Sequence, residues 1–222
     1  MKTEYGILLD KSVIISNCIG VSNQRNYHAE FFDYLEKHPF LGIMTKCIQR
    51  GCQEKLMERF SSNPHIMKRS YSMERLDEMP SFIRVENVTF SYFQNKLREV
   101  KRFFNELLKN ERIERYSTPT SISPRFRGVI KNMYVNHTDP ERKKLDEKAL
   151  WRMPEEEDMK ILAEAICLNY KYDPLFIASA DYHFTGETVS RTIEKRFDIK
   201  CAFPTDVLSE LETMVKKDLY TE

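Results

Sequence analysis

Glycine is scarce in this sequence, with 6 in 222 residues. No glycine-rich loop of the kind that cradles phosphates is present, and no Gly-x-Ser-x-Gly turn presents a serine nucleophile. Cysteine is limited to Cys18, Cys47, Cys52, Cys167 and Cys201, an odd count without a CxxC pair. A fully paired disulfide framework is therefore excluded. Cys167 falls in an apolar helical pattern and Cys201 in a strand pattern, the expectation for reduced core residues of an intracellular protein. The 5 histidines lack zinc-site spacing, which argues against a structural zinc. No apolar run approaches membrane-spanning length, and the opening MKTEYGILLDKS lacks the apolar core of a signal peptide. A cytoplasmic location with no membrane partner is the expectation. A dominant charge is lacking too, with 35 Lys/Arg against 34 Asp/Glu.

The balanced total conceals an asymmetry. Between Lys96 and Arg152 there are 15 Lys/Arg against 8 Asp/Glu, so the rest of the chain is acidic by nearly the same margin. A basic middle on an acidic body suits a polyanionic partner approaching an acidic cleft. On charge alone, a solvated helical insertion accounts for the same numbers.

What is present is a compact alternation at both ends of the chain. YGILLD (5–10) reads as a buried strand, followed by helical stretches at about 12–20 and 26–37. FLGIMT (40–45) is a second strand, with a helical KCIQRGCQEKLMERF behind it. From 155 the pattern resumes: a helix to about 170, a strand in DPLFIASAD, a helix at 187–197, a strand in IKCAFP and a last helix at 205–217. Strands alternating with helices predict an α/β fold, a three-layer α/β/α arrangement around a parallel sheet of about four to five strands. The predicted organisation is a discontinuous domain, 1–60 and 155–222, interrupted by a basic, mostly helical insertion at 61–154. That insertion contains one long helix or two between Val85 and Leu108, and a Ser/Thr/Pro linker at 116–124.

Three acids stand out by position. Asp10 ends the first strand and Asp181 ends FIASA. Asp158 lies in the first turn of the helix leading to that strand, where acids ordinarily complement the helix dipole. Counting on from Asp158, Ile161, Leu162 and Ala165 fall on one face, so this carboxylate shares the stripe that turns to the core. In an open parallel sheet the functional crevice lies outside the carboxyl ends of the strands, and all three acids can reach that edge. Crowded carboxylates resist ionising unless a cation neutralises them. An oxygen-only set suits Mg²⁺ or Mn²⁺, and that chemistry is metal-assisted phosphodiester hydrolysis.

The segments LLDKSVII, DMKILAEAI and FIASADYHF, in this order, resemble the PIN domain family of metal-dependent nucleases, which includes VapC-type toxins and archaeal proteins. The resemblance covers residues 1 to about 60 and 155–210 and leaves the middle unexplained. It implies a PIN-like fold and a divalent-metal-dependent ribonuclease, with Asp10, Asp158 and Asp181 as catalytic metal ligands and Ser12 and Ser179 orienting them. The chain departs from the family at a second acid, a Glu about six residues beyond the hydroxyl of strand two, where Gly51 stands. Glu54 lies near the same helical face and could substitute. Where the family often carries another Asp, this chain has His183, whose imidazole could hold a metal or a water, or be a simple surface or core histidine. If the site is used, the basic residues Arg125, Arg127, Lys131, Arg142, Lys143 and Lys144 would track a phosphate backbone. Phe126 and Tyr134 would offer stacking surfaces, favouring single-stranded RNA. Gly51 also supports an alternative, a catalytically degenerate PIN-like module that binds RNA or a protein. A third reading has the inserted helices serve mainly for oligomerisation, such as a homodimer.

Overall fold

The computed structural model describes residues 5–21, 29–38, 42–62, 66–68, 82–109 and 154–219. The short apolar runs become β1 (Gly6–Leu9), β3 (Gly42–Thr45) and β6 (Leu175–Ala178), each buried at every position. Burial without alternation is the signature of a strand covered on both faces. With β5 (Ile83–Glu86) and β7 (Ile199–Ala202) they form an all-parallel sheet of five strands in the order β5-β3-β1-β6-β7. Outside it, β2 (Ile19–Val21) and β4 (Ile66–Lys68) pair antiparallel as a small ribbon.

The helices are α1 (Lys11–Cys18), α2 (Ala29–Lys37), α3 (Lys46–Ser62), α4 (Phe90–Lys109), α5 (Glu156–Leu168), α6 (Tyr182–Thr185), α7 (Glu187–Phe197) and α8 (Pro204–Leu219). From β1 the chain steps to β3 and β5 on one side, then returns to place β6 and β7 on the other. Right-handed crossovers in opposite directions put their helices on opposite faces. The packing agrees. Helix α1 lies on α3 and α2 on α8, while α4 lies on α5 and its Phe103 ring meets Phe197 of α7 edge-on at 5.2 Å. The result is three layers, as the alternation of elements predicts.

Local chemistry fixes several of these elements. On α4, Leu97, Val100, Phe103, Phe104 and Leu107 make a buried stripe at three- and four-residue spacing. Helix α7 stops at Asp198, which takes the left-handed conformation (φ 56°) and donates its N–H to Glu194, a role that Asp fills more readily than most side chains. Gly6 allows the wholly buried ring of Tyr172 to pass against β1, since a Cβ there would lie 2.6 Å from Tyr172 Cγ.

One part of the predicted insertion belongs to the body. Residues 83–109, read from the sequence as one or two helices, form β5 and α4, so the sheet gains an edge strand and α5 gains its cover. Ile83-Arg84-Val85-Glu86 is a half-exposed edge strand whose charges and alternation resemble the helical pattern that follows. The linker at 116–124, Phe126, Tyr134 and the basic residues from Arg125 to Lys144 lie outside the described residues. Among the described residues, no helix is long and apolar enough to cross a membrane.

Candidate metal centre

Neighbouring strands β1 and β6 send their chains off in opposite directions, which makes the gap beyond their carboxyl ends the switch point of the sheet. Asp10 follows β1 directly. Its N–H donates to Ala178 O at 3.0 Å, and its carbonyl accepts the first N–H groups of α1, from Val13 and Ile14. The carboxylate turns inward and is 3% exposed. Its Oδ2 accepts from Ser12 Oγ at 2.5 Å and Ser179 Oγ at 2.7 Å. Both hydroxyls also accept a backbone bond from the turn after β6: Ser12 Oγ from Ala180 N–H at 3.0 Å, Ser179 Oγ from Asp181 N–H at 2.9 Å. The serines thus tie the end of one strand to the end of its neighbour.

Asp158 and Asp181 come from opposite sides of this gap. Helix α5 leads into β6 and so begins at the carboxyl edge of the sheet, with Asp158 buried in its first turn. Asp158 Oδ2 accepts the Glu155 N–H at 3.0 Å, closing the helix start. Asp181 plays the matching role at α6, where its Oδ1 accepts the His183 N–H at 2.8 Å. The His183 ring comes back over both acids, with Nδ1 at 3.0 Å from Asp181 Oδ1 and 3.7 Å from Asp158 Oδ2. Asp158, Asp181 and His183 each offer a ligand atom within 4.8 Å of the others.

The electrostatics mark the cluster as short of positive charge. Asp158 is pushed up to about 6, first by burial, then by the charges of Asp181 and Asp10. Asp10 is raised by burial and by Asp181, against the opposing hydrogen bonds of its two serines. Asp181 goes the other way: burial acts to raise it, but the hydrogen bond and charge of His183, with Lys11 beyond, outweigh this and lower it. Two of the three acids hold protons more tightly than in water, the condition in which a bound cation would displace them.

The remaining residues sort differently from their sequence expectations. Asp10 joins the cluster through the Ser179 hydroxyl and not as a member of the compact donor group, while His183 is a member. Glu54 is exposed on α3 and stands outside that group. The place of the absent acid is filled otherwise: a Cβ on Gly51 would lie 3.0 Å from the Cδ of Lys11. Lys11, overlooked in the sequence although it adjoins Asp10, is buried and pairs with Glu157, which Lys55 also approaches at 3.5 Å. Also overlooked is Glu164, buried on α5, which accepts from Thr45 Oγ1 at 2.6 Å and is raised to about 7 by burial. Periodicity hides it because α5 is buried nearly all round.

Ligand atoms on one ion, each about 2.0–2.3 Å from it, lie at most about 4.6 Å apart, so the spread of Asp158, Asp181 and His183 fits a single cation after slight closure. A nitrogen donor among carboxylates makes the set softer than the oxygen-only cage expected from the sequence, and favours Mn²⁺ over Mg²⁺. Comparison of the chain with protein-family models, with curated proteins and with solved structures returns no match.

Proposed function

We propose that this protein is a divalent-metal-dependent ribonuclease on a PIN-like fold, with its reacting centre at the switch point between β1 and β6. The observation that carries the reading is the meeting of Asp158, Asp181 and His183 there, with Asp10 held beside them by Ser12 and Ser179. Asp158, Asp181 and His183 would hold Mn²⁺ or Mg²⁺. When bound, such an ion supplies charge for the phosphoryl oxygen and the leaving alkoxide and lowers the pKa of water. The chain's own part is positioning. The two serines fix the Asp10 carboxylate, and the caps at Asp158 and Asp181 hold those side chains on rigid helix starts. RNA as the polyanion follows from the basic sequence between Lys96 and Arg152, and a single strand from its interspersed Phe126 and Tyr134.

A second reading has its own observation. Lys11 lying over Gly51, where an acid is expected, suits a module that retains the fold and binds RNA or a protein without cutting. Incubating the full chain with labelled single-stranded RNA in Mn²⁺, Mg²⁺ or EDTA separates the two. Cleavage that requires Mn²⁺ and falls about 100-fold or more in Asp158→Asn supports the nuclease. RNA binding unchanged in EDTA, with no cleavage under either ion, selects the module. Full cleavage by both Asp158→Asn and Asp10→Asn would sink the proposed site.

A further inference from the structure

We infer that Lys11 is a tethered cation of this site, its ammonium taking a position that a second divalent ion would otherwise fill, so that the centre admits one ion. The inference rests on reading the acidic cluster as a cation site, and it concerns how many charges that site takes. Lys11 is the first residue of α1, immediately after Asp10, and its side chain is only 9% exposed. Lysines are seldom buried this deeply unless something holds the ammonium. Here two features hold it. Its stem crosses α3 at Gly51, where a Cβ would press on Cδ at 3.0 Å, so the glycine leaves the channel the lysine occupies. Its ammonium pairs with Glu157, next in sequence to Asp158, and its charge is felt by Asp10, Asp158 and Asp181 alike.

The charge count leads to the same place. Asp10, Asp158, Asp181 and Glu157 bring four negative charges when ionised, and Lys11 and Lys55 return two. One divalent ion closes the difference and two would overshoot it. An ammonium fixed by covalent attachment also needs no loading from solution, unlike a second metal.

A purely structural lysine would do no more than tie α1 to Glu157, and a titration tells the roles apart. Mn²⁺ binding to the full-length protein, followed by electron paramagnetic resonance and calorimetry, is compared for wild type, Lys11→Met, Lys11→Gln and Glu157→Gln. Circular dichroism confirms folding, and the Gln variant serves if the Met variant does not fold. The wild type is expected to bind one equivalent. Each folded Lys11 variant is expected to bind Mn²⁺ about tenfold more tightly or more, or to take up a further equivalent, because a repelling charge has been removed. Glu157→Gln breaks the same ion pair while removing an acid, so it is expected to show no such gain. Two equivalents in the wild type, or no gain in either Lys11 variant, would overturn the inference. A wild type that binds no ion beside a Lys11 variant that binds one would uphold the lysine's role while removing the support for a metal-dependent nuclease.

Discussion

Glu86 and Asp158 each leave 13% of the side chain exposed, yet their surroundings have opposite effects. Glu86 ends the edge strand, where its Oε1 accepts from Lys171 Nζ at 2.5 Å and Tyr172 Oη at 2.6 Å. Arg84, two residues earlier, donates to the same Tyr172 hydroxyl at 3.4 Å. Burial acts to raise Glu86, but these donors and cations win and its carboxyl ends below the usual range. At Asp158, burial is reinforced by Asp181 and Asp10, and only His183 and the Glu155 N–H oppose them. An acid surrounded by donors is a finished structural contact. An acid crowded by acids is incomplete until something positive arrives, and that asymmetry separates the candidate site from the other polar clusters of the fold.

The sharpest way to break the comparison is Asp158→Asn in metal-free buffer. A carboxyl whose folded pKa is about 6, against a model value of 3.8, penalises the folded state once pH rises above the unfolded value, fully so above about 6. The amide keeps an oxygen for the Glu155 N–H and carries no charge. At pH 8 the variant should therefore be more stable than wild type by about 2–3 kcal/mol, a rise of roughly 5–10 °C in melting temperature. The gain should shrink below pH 6 and vanish near pH 4. A lower melting temperature at pH 8 would show that Asp158 is satisfied as it stands.

Glu86→Gln should behave in the opposite sense, with a smaller effect. Its depressed pKa contributes stability above the unfolded value, and that contribution is lost as pH falls through the folded one. Urea unfolding at pH 7 should show a loss of about 1–2 kcal/mol, with the gap to wild type closing below about pH 4 and Mn²⁺ affinity unmoved. A gap that persisted at acidic pH would point to packing as the cause. Glu54→Gln should do least. An exposed side chain outside the donor group should change stability by less than about 0.5 kcal/mol, and Mn²⁺ affinity by less than about twofold. A loss of Mn²⁺ binding in that variant would return Glu54 to the site.

The three layers were legible because fully buried strands announce themselves as unbroken apolar runs, as GILL and LFIA do. Ile83–Glu86 was not, because an edge strand needs only one apolar face and its charges blend into the helix behind it. Asp10, Asp158 and Asp181 were visible from their places at strand and helix ends. Lys11 was invisible because its meaning depends on Gly51, 40 residues away, and no local pattern connects a lysine to an absent side chain. Glu164 was hidden for a related reason, since its partner Thr45 lies 119 residues earlier.

The position of β6 between β1 and β7 has a consequence in time. As the chain leaves the ribosome, β5, β3 and β1 are complete once residue 86 has emerged, but β1 then has an open edge. The hydroxyl of Ser179 reaches Asp10 across 169 residues of intervening chain, so the acidic centre cannot assemble until β6 inserts. Such late, long-range closure is slow to form and leaves a strand edge exposed to strangers in the interval. It also means that an unfinished chain holds Asp10 alone, and whatever this centre does is withheld until synthesis has passed His183.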